Sequence, residues 1–106
     1  MVKTINEYEW HTQYEHETFN CDKPIVLVFG AEWCSACNNL QKKLEAEEFP
    51  VDVLHLDVDA CETLPDEMNI TSLPTVVIYE NCEVSQVFEN NVSAQEIIEY
   101  IHGMRV

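Results

Sequence analysis

Two cysteines, Cys34 and Cys37, stand in the stretch Trp33-Cys34-Ser35-Ala36-Cys37, between an apolar run and a segment with helical spacing. If a helix starts at Cys34, its free amides and dipole favour a thiolate there. The thiolate is the species that attacks a disulfide, and a second sulfur about one helical turn away can displace the mixed disulfide that results. A Cys-x-x-Cys also supplies half of a zinc site. Structural zinc needs two further ligands, however, and the chain has no second Cys-x-x-Cys. His11, His16, His55, His102, Cys61 and Cys82 show no compact finger spacing, so a redox pair is preferred over a metal site or inert thiols. Cys21, Cys61 and Cys82 fall in expected loops or element ends and are read as free thiols.

The elements that must hold this pair follow from periodicity. Ile25-Val26-Leu27-Val28-Phe29 is an uninterrupted apolar run, as a strand covered on both faces requires, and Gly30 ends it. After Cys34 a helix is expected to about Glu48, with Leu40 and Leu44 on its inner face. Val51 to Val58 reads as the next strand, with Asp57 and Asp59 sharing one of its faces. Upstream, Val2 to Ile5 reads as an edge strand. Asn6 then offers an N-cap with Glu9 placed for a capping box, Ile5 and Trp10 for a hydrophobic staple, and a helix to about Phe19. Downstream come a short helix, Thr63 to Met68, and two strands, Thr75 to Tyr79 and Glu83 to Phe88, around a turn at Asn81-Cys82. A last helix follows, capped by Ser93 with Glu96 and stopped by Gly103. The order β-α-β-α-β-α-β-β-α implies an α/β fold: one mixed sheet with helices on both faces, in a single domain over residues 1–106.

Twenty acidic residues against five basic ones give a formal charge of -15. That field repels phosphates and anionic membrane surfaces, so neither nucleic acid nor membrane is an expected partner. The longest apolar stretch, Ile25 to Phe29, is too short to span a bilayer. Met1-Val2-Lys3-Thr4 meets polar residues at once, unlike a signal peptide. With five irregularly spaced cysteines, the expectation is a cytoplasmic monomer.

On these residues the chain resembles the thioredoxin family. The likeness runs through Phe29-Gly30-Ala31-Glu32-Trp33-Cys34-Ser35-Ala36-Cys37, then Asp57-Val58-Asp59, then Ile70-Thr71-Ser72-Leu73-Pro74-Thr75. It implies a thioredoxin fold and a thiol–disulfide oxidoreductase acting on disulfide-containing protein substrates. Cys34 is then the nucleophile and Cys37 the resolving thiol. Trp33, Leu73 and Pro74 form the docking surface, with Leu73-Pro74 a cis peptide facing the pair. A reductase or other thiol donor regenerates the dithiol, and neither a cofactor nor a metal is implied. The competing reading is an acidic protein-binding module of the same fold with secondary redox activity.

Six positions depart from the family pattern. Ser35-Ala36 replaces Gly-Pro, and the amide that Ala36 keeps is expected to help stabilise the Cys34 thiolate. Val28 replaces a buried aspartate and His55 falls where a lysine is common. This leaves open whether His55 or water takes the proton of Cys37, with His55 otherwise read as a strand residue whose ring is satisfied. Cys82 and Asn90 stand where glycine is usual, and asparagine tolerates a positive φ better than most residues.

Overall fold

An unbroken apolar run has to be covered on both faces, and the architecture follows from that demand. The computed structural model describes residues 2–14, 23–81 and 83–104. Its strands are β1 (Val2–Thr4), β2 (Ile25–Gly30), β3 (Asp52–Asp57), β4 (Thr75–Glu80) and β5 (Glu83–Phe88). Its helices are α1 (Glu7–Glu9), α2 (Ser35–Glu45), α3 (Leu64–Glu67) and α4 (Ala94–His102). The strands form one mixed sheet in the order β1-β3-β2-β4-β5, with β2 in the middle. β2 is parallel to β3, from which it is separated in sequence by the α2 crossover, and antiparallel to β4; β4 and β5 form the hairpin.

Alternation along β2 sends its side chains to two cores. Val26 and Val28 pack with Leu40 and Leu44 of α2 and with Ile97 and Ile101 of α4. Ile25, Leu27 and Phe29 pack on the opposite face with Ile5, Trp10 and Leu64. Each of these side chains is almost completely withdrawn from water, which stabilises the fold by about 1.5–3 kcal/mol per large residue. α2 is thereby pressed onto the middle of the sheet, which sets the position of its first turn.

The expected caps form. The Asn6 side chain accepts the Glu9 N–H at 2.8 Å while the Glu9 carboxylate accepts the Asn6 N–H at 3.0 Å. The Ser93 hydroxyl accepts the Glu96 N–H at 3.3 Å. Beyond Glu9 the first helix does not continue as α; Trp10–Tyr14 is a π turn, in which Trp10 stacks on Tyr14 with ring centroids 6.1 Å apart. Its expected extension to Phe19 lies outside the described residues, as do Cys21 and Cys82. β3 ends earlier than expected: the Asp57 carboxylate accepts the Asp59 N–H at 2.9 Å and starts a 3-10 turn over Val58–Ala60. Asp57 and Asp59 therefore do not share a strand face.

Among the described residues four adopt a positive φ: Asn69 at 57°, Asn81 at 56°, Asn90 at 56° and Asn91 at 57°. Neither glycine does. Asparagine is the L-residue that enters the left-handed region most readily, so it takes these turns, including the expected one at Asn90.

Candidate redox site

The redox pair is built at the junction of β2 and α2. Cys34 has extended backbone angles, φ -92° and ψ 104°, and is the N-cap of α2, so its sulfur takes the place of a capping oxygen. Its Sγ accepts the Cys37 N–H at 3.2 Å. The Cys34 N–H donates to the Ala31 carbonyl at 3.1 Å, and the Asn38 N–H donates to the Cys34 carbonyl at 3.1 Å. The Asn38 side-chain amide, donating to the Glu32 carbonyl at 3.1 Å, holds the loop that leads into the helix. Cys34 and Cys37 are joined as a disulfide, with Cα atoms 5.2 Å apart. The amide that reaches the Cys34 sulfur is that of Cys37, the third helical residue, where N-cap geometry aims its hydrogen. The Ala36 amide expected to help the thiolate is one residue nearer, and in the disulfide form the contact is made by Cys37.

Cys34 is 9% exposed and Cys37 3%, and both pack with Ala31 against Val58 and Leu73. Cys34 opens onto a groove of about 480 Å³, lined also by Trp33, Val58, Cys61, Ile70 and Leu73. Trp33 is 72% exposed, yet its indole Nε1 donates to the Asp59 carboxylate at 2.7 Å, which fixes the ring at the groove's edge. Leu73-Pro74 is a cis peptide. Leu73 faces the groove and the cysteines, whereas Pro74 is buried at the start of β4 and contributes no groove wall. Thr75, next in the chain, donates its hydroxyl to the Ser72 carbonyl at 2.7 Å and braces this turn.

Beneath Cys37 lies Gly30. A Cβ there would stand 3.1 Å from Cys37 Cβ, 3.5 Å from Cys37 Sγ and 3.1 Å from His55 Nε2, so glycine is what lets α2 settle this close to the sheet. Val28 lies two residues before Gly30 on β2, in the core of α2 and α4. His55 is its cross-strand neighbour. Burial lowers the pKa of His55, opposed by the nearby charges of Asp57 and Glu45. Its Nδ1 is buried without a hydrogen-bond partner, which corrects the expectation of a satisfied ring.

Three site residues were missed in the sequence. Gly30 carried a weak signal, since a glycine inside a strand suggests a close backbone approach. Asp59 carried none for Trp33, 26 residues away. Glu7 likewise gave no hint that its carboxylate accepts the N–H groups of Glu62 and Thr63, both at 3.0 Å, and that of Leu64. Those bonds lower the Glu7 pKa and anchor the segment entering α3, beside the groove.

Comparison with known proteins agrees with this construction. The thioredoxin family model matches residues 2–103. A thioredoxin from Echinococcus granulosus is 35% identical over 83 residues, 74% of this chain and 78% of that protein. One from Rickettsia bellii is 31% identical over 94 residues, 85% of this chain and 90% of that protein. Among solved structures, a chloroplastic thioredoxin z superposes with a TM-score of 0.75 at 28% identity, covering 95% of this chain and 91% of that one. The general partners of this family are disulfide-bearing substrates and a reductase. Among the described residues no helix is long and apolar enough to cross a membrane. With the Cys34–Cys37 disulfide at the start of α2 on a thioredoxin fold, the chain belongs to the thioredoxin family and is a thiol–disulfide oxidoreductase.

Proposed function

We propose that Cys34 attacks a disulfide of a protein substrate and that Cys37 resolves the mixed disulfide. The observation that carries this order is access: Cys34 lines the groove, while Cys37 lies behind it against Gly30. Attack by the Cys34 thiolate breaks the substrate disulfide and releases one substrate thiolate. Attack by Cys37 on Cys34 Sγ then releases the other and leaves the Cys34–Cys37 disulfide. Trp33 and Leu73 offer the substrate an apolar wall, and Pro74 shapes the turn behind it. A thiol donor such as a reductase restores the dithiol.

Residues 1–106 act as one domain, as a monomer in the cytoplasm. Its charge of -15 supports protein partners over nucleic acid or anionic lipid surfaces. Insulin reduction with a thiol donor tests the assignment. Cys34→Ser abolishes turnover, and Cys37→Ser accumulates mixed disulfides that mass spectrometry locates at Cys34. Trapping through Cys61 would reverse the assignment, and equal activity of wild type and Cys34→Ser would favour the binding-module reading.

A further inference from the structure

We infer that His55 is the proton acceptor for Cys37 in the resolving step. The inference rests on the proposed order of attack and resolution, because only a resolving thiol needs to lose a proton while the mixed disulfide stands. Cys37 Sγ and His55 Nε2 converge on Gly30: a single point above that residue lies 3.5 Å from the sulfur and 3.1 Å from the nitrogen. The absence of a side chain at Gly30 leaves this space between them open.

The surroundings offer little competition for the proton. Among the described residues, Thr75 is the one polar or charged residue in the fully buried class, so no described carboxylate is sunk beneath the pair. From β2 the groups beside His55 are Val28 and Gly30, and from β1 its register partner is Thr4, none of which titrates in this range. The charges that bear on the ring are Asp57, at the end of its own strand, and Glu45 on α2. Both favour the imidazolium that forms on proton transfer, whereas burial favours the neutral ring beforehand. A neutral imidazole at pH 7 is in the state a base requires. Accepting at Nε2 places the ring's other proton on Nδ1 both before and after transfer. The lack of a partner at Nδ1 weighs more on the imidazolium than on the neutral ring, so it opposes the step as burial does, and the charges of Asp57 and Glu45 act against both.

The step balances as follows. In the mixed disulfide, the Cys37 thiol passes its proton to His55 Nε2. The resulting thiolate attacks Cys34 Sγ, the bond from Cys34 to the substrate sulfur breaks, and the substrate leaves as a thiolate with the electron pair. The imidazolium returns its proton to that thiolate or to solvent. The substrate disulfide is reduced by two electrons, and the enzyme dithiol is oxidised to the Cys34–Cys37 disulfide.

Stopped-flow reaction of the reduced protein, with Cys21, Cys61 and Cys82 replaced by serine, with 5,5′-dithiobis(2-nitrobenzoate) reads the two steps separately, because one thionitrobenzoate leaves on attack and a second on resolution. His55→Gln should leave the first release unchanged and slow the second at pH 7 about ten-fold or more. It should also remove the decline of the second rate that the inference expects of wild type as pH falls through the His55 pKa. An unchanged second rate with an unchanged pH profile overturns the inference. Failure of the underlying assignment looks different: the second release would survive Cys37→Ser, or the first would survive Cys34→Ser. Titration of His55 by NMR in wild-type protein needs no variant to fold. The ring should titrate differently in the dithiol and disulfide forms, since a titrating thiol couples to it in one and is absent in the other. Identical titrations in the two forms also overturn the inference.

Discussion

Two thiols line the same groove and are treated in opposite ways by the fold. Cys34 caps an eleven-residue helix and its sulfur receives an amide hydrogen from Cys37. Cys61 closes a 3-10 turn, and its thiol donates to the Asp57 carbonyl at 3.4 Å. One sulfur accepts from an amide donor, the other donates to a carbonyl and lies near two acids. Burial, reinforced by the charges of Glu7 and Asp57, pushes the Cys61 thiol up to about 11. Two sulfurs on one wall thus differ because a helix begins at one and a turn ends at the other. Reactivity is assigned by the backbone and charged groups around the sulfur together with its burial, which is the largest cause of the Cys61 shift.

The largest expected effect tests that contrast directly. In the reduced protein at pH 7, iodoacetamide should modify Cys34 about a hundred-fold or more faster than Cys61, since only the thiolate reacts. The Cys61 rate should climb about ten-fold per pH unit until pH approaches its pKa. Peptide mapping by mass spectrometry over a pH series reads both rates, and comparable rates at neutral pH would break the comparison.

Gly30→Ala disturbs one region and spares the other. Its methyl group would crowd Cys37 Cβ and His55 Nε2 at 3.1 Å each, a clash expected to cost about 1–3 kcal/mol. Calorimetry should show Tm lowered by roughly 5–20 °C, while the alkylation rate of Cys61 stays within about two-fold of wild type. Unaltered stability would mean that α2 can ride up on the sheet without loss.

Glu7→Gln addresses the other wall. Removing a charge that raises the Cys61 pKa should speed Cys61 alkylation at pH 8 by a few-fold, with Cys34 unaffected. An unchanged Cys61 rate would mean that burial and Asp57 set its pKa without Glu7. The same variant carries the smallest prediction, a pH-dependent stability. The Glu7 carboxylate has a pKa below its ordinary 4.5 because it accepts backbone N–H groups, that of Glu62 first and that of Leu64 next. Its stabilisation is therefore fully present above that value and is lost as pH falls through the lower folded one. Glu7→Gln should melt a few degrees below wild type at pH 7, and the gap should close in acid. A gap independent of pH would mean that the charge of Glu7 contributes nothing.

How much of this was legible follows the range of each interaction. The double-sided strand at Ile25 to Phe29, the caps at Asn6 and Ser93, and the helix start at Cys34 are written within a few residues of themselves. Local pattern found them. The cis bond at Leu73-Pro74 was reached through family resemblance, since proline alone favours trans. What escaped is long-range and polar. Glu7 looks like any of the chain's acids until the fold brings residue 62, 55 positions on, to its carboxylate. The tether of Trp33 to Asp59 is hidden in the same way, and it depended on β3 ending at Asp57, where a side-chain cap overrode the strand pattern. The cap geometry is finer than sequence resolves: in the disulfide form the N-cap sulfur is reached by the third helical amide, that of Cys37, one residue beyond Ala36.

The asparagines at the four left-handed positions have a consequence for the unfolded chain. A chain with two glycines in 106 residues samples fewer backbone conformations when unfolded than one that uses glycine at every such turn, and it loses less entropy on folding. Asparagine brings a side chain into a region that L-residues otherwise avoid, at some cost to the folded turn. An asparagine-to-glycine exchange at Asn69 would relax the native backbone and widen the denatured ensemble together. These turns therefore contribute to stability through the disorder they withhold from the unfolded state as well as through contacts in the folded one.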